Sequence, residues 1–347
     1  MEKQEPFEIG GEKIRPGSRR VIRIPISMFP DHPAFFLSLY VIHGKLPGKT
    51  LFVSSTIHGD ELNGIAVVKH VISSNHTKNL KGTLILAPVV NMIGALIKSR
   101  YLADRRDLNR SFPGIEKGSQ ASQLAYTFFH EVVKKCTHGI DIHTGSDNRI
   151  NLPQVRSDLE NEETRELAIA FGAPVVLKAK LREGSLRSAA EKEGIVMIIF
   201  EGGESFRFDT FAVRVATRGV FRVMAHLGMI DKSQCPVSKV PTVISSASRW
   251  IRSPNAGVFH AQRGLGQKVL KGCVLGDITD YLGISQTKVR ANFDGIVIGR
   301  TQLPLVFQGD ALFNIACVSE PEKAEEIILG LEEDEINNLP FDDPNTF

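Results

Sequence analysis

The fourteen residues Leu51 to Gly64, LFVSSTIHGDELNG, constrain the fold of this chain more than any other stretch. An apolar, β-branched run from Leu51 to Ile57 predicts a buried strand. The run breaks at His58-Gly59-Asp60-Glu61, and from about Glu61 to Ser74 the apolar Ile65, Val68 and Ile72 recur at helical spacing. His58 and Glu61 therefore fall where a strand hands over to a helix. Two side chains three residues apart at such a turn can converge on one point, and an imidazole nitrogen with a carboxylate oxygen is an ordinary zinc pair. An isolated pair of this kind is more often a polar turn whose Glu suits a helix N-terminus. The metal reading needs a third ligand.

His143 supplies it. His138-Gly-Ile-Asp-Ile-His143-Thr-Gly alternates polar and apolar residues as a strand does, and ends in a His before a Thr-Gly turn. Asp141 lies two residues earlier, on the same strand face, where it or a backbone group can orient the imidazole. A lone His at a strand end is usually a polar residue on the sheet rim. Ligands that leave two strands of one open α/β sheet at their C-terminal ends point instead to a site. His58, Glu61 and His143 leave a fourth position open, the pattern of a catalytic zinc, one ion per chain.

Here the chain resembles a known family. HGDELNG, DLNRSFPG (Asp107 to Gly114), DIHTG (Asp141 to Gly145) and FEGG (Phe200 to Gly203) stand in the order and rough spacing of the succinylglutamate desuccinylase/aspartoacylase family of the zinc carboxypeptidase clan. The resemblance covers roughly residues 15 to 235, with a weaker match beyond. Four motifs in order are a strong signal, whereas any one alone is weak.

With 347 residues the chain has room for one large domain and a smaller one. The N-terminus, MEKQEPFEIGGEKIRPG, has no apolar segment of the secretory kind, and no apolar run approaches the ~20 residues of a membrane span. The four scattered cysteines form no CxxC pair, and the expected setting is a reducing cytoplasm. Residues 320 to 347 carry ten acidic side chains and one Lys, so the rest of a chain of net charge +3 carries about +12 by difference. A basic body suits acidic partners, either nucleic acid or small carboxylates. No Lys/Arg run exceeds two residues, so neither a nucleic acid nor a membrane is the expected partner.

In chain order, residues 14 to 29 and 34 to 42 read as strands around a Pro-Asp-His-Pro turn, and Thr83 to Val89 as another buried strand. Asn91 to Gly114 is a long polar loop of the kind that usually carries function. Helical spacing covers Ser119 to Cys136, 159 to 171, 186 to 193 and 209 to 228, with apolar runs at Ala173 to Leu177 and Ile195 to Phe200. Strands alternating with helices predict an α/β domain, residues 1–240, around a largely parallel central sheet; the family adds that this sheet is mixed and zinc-carboxypeptidase-like. From Pro241 short apolar runs punctuated by Gly predict an all-β domain over 241–318, similar to the barrel-sandwich domain of biotinyl and lipoyl carriers but without their modified Lys. Residues 319–347 form an acidic tail, with a helix from Glu322 to Leu331 and a disordered end.

A zinc with an open position needs a base. Glu201 follows a buried strand and is flanked by glycines that admit substrate to the backbone. Glu204 competes for that role, and the family pattern favours Glu201. The resemblance further implies that Arg100 stabilises the oxyanion, with Arg105 as the alternative, and that Asn109 and Arg110 bind a substrate α-carboxylate. Asp107 orients either Arg110 or His58. Arg187 falls where relatives place a specificity Arg. The expected activity is zinc-assisted hydrolysis of an N-acyl amino acid. The alternatives are a carboxypeptidase acting at a peptide C-terminus, for which Tyr101 and Tyr281 are candidate aromatics, and a metal-binding adaptor without turnover.

Overall fold

The computed structural model of this protein describes residues 4–26, 35–235 and 240–337. The expected Pro30–Pro33 turn, and the tail beyond residue 337, lie outside them. A short hairpin, β1 (Phe7–Ile9) and β2 (Glu12–Ile14), precedes two long antiparallel strands, β3 (Ser18–Ile26) and β4 (Phe35–His43). Next come β5 (Leu46–Ser55), α1 (Asn63–Ser73) and β6 (Lys81–Ala87). The polar loop holds a short helix, α2 (Met92–Leu96), and a turn of 3-10 helix at Leu108–Arg110. Then follow α3 (Gln120–Glu131), β7 (His138–Gly145), β8 (Arg149–Ser157) and α4 (Glu162–Phe171). The α/β part closes with β9 (Val175–Lys178), α5 (Leu186–Lys192), β10 (Val196–Glu204) and α6 (Thr210–His226).

The main sheet takes its order from the burial of β5. Leu51 and Val53 face a core shared with α1, α4 and α6, while Phe52 faces a second core with α3 and α5. Alternation on a strand with both faces covered needs apolar residues throughout, which is what the run supplies. The strands β10, β7, β5 and β6 lie side by side and parallel, with α1 crossing from β5 to β6. On both flanks the pairing turns antiparallel, at β4 and β3 on one side and at β8 on the other. The sheet is therefore mixed: parallel through its centre, antiparallel on both flanks, and parallel again where β9 joins β8. Helices are capped locally: Asn161 accepts from the Thr164 amide to start α4, and Gly172 ends it in the left-handed region.

Strand β8 is absent from the sequence expectations. Pro153 sits in its middle, and a proline cannot donate to a ladder. The structure accommodates it inside a register shift against β10, between Asn151 and Gln154. Strand β10 also runs further than expected, so Glu201 lies within it, opposite His143 of β7.

The C-terminal strands are β11 (Val243–Ser245), β12 (Ser248–Arg252), β13 (Gly257–Ala261), β14 (Lys268–Val269) and β15 (Val274–Thr279), then β16 (Gln286–Arg290), β17 (Gly295–Thr301), β18 (Leu305–Val306) and β19 (Ala311–Ala316). Helix α7 (Pro321–Asn337) follows. Strands β16, β15, β13 and β18 make a separate four-stranded sheet, and Ile251, Phe259, Leu275 and Phe313 belong to the core beside it. Strands β17, β19 and β12 instead continue the main sheet, because β17 pairs with β8 at Asn151, Ile150 and Arg149.

Candidate functional site

Strand β5 ends at Ser55, and the chain turns through Thr56 in the left-handed region. At Gly59 the backbone of α2 approaches so closely that a Cβ would lie 2.0 Å from the Gly94 carbonyl carbon. The turn is pinned, and His58 and Glu61 are buried within it. Helix α1 starts two residues after Glu61, so the Glu belongs to the turn and not to the helix.

Glu61 joins the two imidazoles. Its Oε1 lies 2.8 Å from His58 Nδ1 and its Oε2 lies 2.7 Å from His143 Nδ1. Each ring meets a second carboxylate at Nε2: Asp107 Oδ1 at 3.2 Å for His58, and Asp141 Oδ2 at 2.6 Å for His143. Both nitrogens of each ring thus face a carboxylate, which only accepts; with a metal held beside Glu61, the Nε2 protons would face Asp107 and Asp141 and Nδ1 of both rings would be the ligand atom. Ser54 Oγ in turn donates to Asp141 Oδ1 at 2.7 Å. Arg100 ties the opposite edge together, with Nη1 at 3.3 Å from Glu61 Oε1 and Nη2 at 3.1 Å from Asp107 Oδ2. The open question over Asp107 is thereby answered: it reaches His58 and Arg100.

Two His nitrogens and one carboxylate oxygen converge here with their ligand atoms within 4.8 Å of one another, the one such cluster among the described residues. The donor set fits zinc. So does the charge, since with both imidazoles neutral Glu61, Asp107, Asp141 and Arg100 leave a buried surplus of two negative charges. Without a cation the imidazoles take up that role. Burial opposes a charge on His143, but Asp141 and Glu61 outweigh it and hold its pKa well above the ordinary value. Burial likewise opposes the charge on Glu61, and the two imidazoles hold its pKa well below.

The cluster opens into a cavity of about 560 Å³. Of the residues expected at the site, Arg100, Asn109, Arg110, Arg187 and Glu201 all line it, whereas Arg105, Glu204, Tyr101 and Tyr281 do not. Asn109 accepts from the Leu186 amide through Oδ1 at 2.9 Å, and its Nδ2 donates to none of the described residues. Arg110 is exposed at the mouth, with Nη1 donating to the Asn109 carbonyl. Arg187 is buried, with Nη2 on the carbonyls of Ala179 and Lys180 at 2.9 and 2.8 Å and Nη1 unpartnered. Glu201 meets two residues of β8 through a single oxygen: Asn151 Nδ2 lies 2.9 Å from Oε2 and Arg156 Nε lies 3.2 Å from it.

Asn151, Arg156 and the further cations Arg149, Lys178, Lys180 and Arg182 also line the cavity, as does Trp250 of β12, whose ring lies 5.4 Å from the Arg149 guanidinium carbon. Sequence reasoning missed this wall. Its signal was the density of Arg and Lys between 149 and 187, which carries no spacing that tells a cavity from a solvated surface.

The family model of the Succinylglutamate desuccinylase/Aspartoacylase catalytic domain matches residues 47–227. The N-alpha-acetyl-L-2,4-diaminobutyric acid deacetylase of Halomonas elongata is 27% identical over 286 residues, which cover 79% of this chain and 83% of that protein. Among solved structures, the product-bound ectoine utilization protein of Ruegeria pomeroyi superposes with a TM-score of 0.78 at 23% identity, covering 91% of this chain and 98% of that one. A succinylglutamate desuccinylase/aspartoacylase from Rhodobacter sphaeroides gives 0.76 at 24% identity, covering 87% and 97%. At these identities the two structures show the fold.

Proposed function

Because this chain belongs to the succinylglutamate desuccinylase/aspartoacylase family, we propose that it is a zinc-dependent amidohydrolase that releases the acyl group from an N-acyl amino acid. The observation that carries this reading is the convergence of His58, Glu61 and His143 on a cavity that also presents one carboxylate, Glu201, and the donors of Arg100, Asn109 and Arg110. His58, Glu61 and His143 would hold the ion. When bound there, zinc supplies a Lewis acid and a water acidic enough to act near neutral pH.

The remaining work falls to the chain. Glu201 takes the proton of the attacking water on Oε1, the oxygen that accepts no bond from the described residues, and later passes it to the leaving amine. Arg100, held by Glu61 and Asp107, offers its positive charge to the oxyanion. Asn109 Nδ2 and the Arg110 fork receive the α-carboxylate, the group whose two oxygens match a guanidinium. The deacetylase of Halomonas elongata supports deacylation as the reaction class. A carboxypeptidase is supported less, because neither Tyr101 nor Tyr281 lines the cavity.

In this reading residues 1–240 form the zinc-carboxypeptidase-like domain that carries the chemistry, 241–318 a barrel-sandwich-like β domain, and 319–347 an acidic tail. Cys136, Cys273 and Cys317 form no disulfide among the described residues, which suits a cytoplasmic setting; among the described residues no helix is long and apolar enough to cross a membrane. The test is amine release by purified, zinc-loaded protein from a panel of N-acyl amino acids and short peptides. Release from N-acyl amino acids is expected. Trimming of peptides with no action on any N-acyl amino acid would transfer the protein to the carboxypeptidases.

A further inference from the structure

The reading of Glu201 as base leaves open what sets the direction of its carboxylate. Among the described residues its one hydrogen bond, from Asn151, and its ion pair with Arg156 both come from β8 and both fall on Oε2. Asn151, the closer partner, is buried, and its amide has one workable orientation: a carboxylate only accepts, so Nδ2 must face Glu201 and Oδ1 must face away. Away from Glu201 stands β17 of the C-terminal segment, where Gly299 is the sheet partner of Asn151. A Cβ on Gly299 would lie 2.7 Å from Asn151 Oδ1, closer than non-bonded atoms approach, and its next neighbours, Asn314 Cβ and the Ile150 carbonyl, are 3.5 Å away. The backbone at Gly299 is not in the left-handed region, so conformation alone does not demand a glycine there. What the missing side chain provides is room for the Asn151 amide.

We infer that Asn151 is a positioning residue for Glu201, and that β17 sets its amide through the empty space at Gly299. The inference rests on the proposed role of Glu201. It gives the C-terminal segment a part in the reaction: one strand of it holds the amide that fixes Oε2 and leaves Oε1 free for the proton.

The test is a cycle of Gly299→Ala, Asn151→Ala and the double variant, with Glu201→Gln as reference, each checked for zinc content and melting temperature. Asn151→Ala and Gly299→Ala should each lower kcat roughly 10-fold or more, the worth of a hydrogen bond to a charged group, with KM little changed. In the Asn151→Ala background the added Gly299→Ala should cost nothing further, because the atom it crowds has gone. A crystal structure of Gly299→Ala should show Nδ2 withdrawn beyond hydrogen-bond distance from Oε2. Full activity in Glu201→Gln would remove the base itself, and the inference with it. An inactive Glu201→Gln beside a wild-type Gly299→Ala, or additive losses in the double variant, would overturn the positioning role alone. Should Gly299→Ala not fold, Asn151→Asp replaces it: the volume is kept, the donor is lost, and activity at the wild-type level would overturn the inference.

Discussion

The two walls of the cavity are built on opposite plans. The metal wall, from β5 and β7, spends its donors and acceptors internally: Glu61 on two imidazoles, each imidazole on a second carboxylate, Asp141 on Ser54. The facing wall, from the polar loop, β8 and the segment around Arg187, keeps donors unspent on Arg110, Asn109 and Arg187. A closed network suits a group that must not move. Open donors suit a ligand that comes and goes, and the positive charge of Arg110 and Arg187 suits an anion.

The largest expected effect is on the closed wall. His58→Ala, Glu61→Ala or His143→Ala should each strip zinc and abolish turnover, read by elemental analysis beside an activity assay. Full zinc in all three variants would show that the closed network is a structural ion pair and not a metal centre.

The open wall is next. A substrate whose α-carboxylate is blocked as a methyl ester leaves Arg110 without its partner; Arg110 is exposed at the mouth, so the lost hydrogen bonds to a charged group cost ~1.5–3 kcal/mol. kcat/KM should fall by roughly 10- to 150-fold. Arg110→Ala should lose a similar amount on the free acid and little more on the ester. Equal rates on acid and ester in the wild type would leave the facing wall without its assigned ligand.

How far the sequence shows these walls follows from the same difference. Strand β5 announces itself, since Leu51, Phe52 and Val53 must all be apolar to be buried on both faces. His58, Glu61 and His143 each stand at the end of a legible strand, so their meeting follows once the strands are neighbours. Strand β8 is masked by Pro153 and by polar residues that face the cavity, so Asn151 and Arg156 went unseen. Nor does any local pattern reveal that β17 pairs with β8, because strand order is a long-range property. The role of Asp107 was ambiguous for the same reason: its partner His58 is 49 residues away and its neighbour Arg110 is three.

A smaller effect probes the carboxylates behind the ligands. Asp141→Asn keeps the shape but gives His143 Nε2 a partner without charge, and such changes typically cost 10–100-fold in metal affinity. Competition with a chelator measures this directly. Asp107→Asn should show the same sign. Unchanged affinity in both variants would mean that packing alone sets the imidazoles.

The smallest effect tests whether the walls are independent. Trp250, half-buried on β12, sets its ring 5.4 Å from the Arg149 guanidinium carbon, and both residues line the cavity. A cation over an aromatic face at a partly solvated site contributes ~0.5–1 kcal/mol. Trp250→Ala should release Arg149 from one orientation and change KM by about 2- to 5-fold, since 1.4 kcal/mol is tenfold. Zinc affinity should stay at the wild-type value, because no bond links Trp250 or Arg149 to His58, Glu61 or His143. A fall in zinc occupancy comparable to that of Asp141→Asn would break the comparison, since it would make the C-terminal segment a support for the metal as well as for substrate.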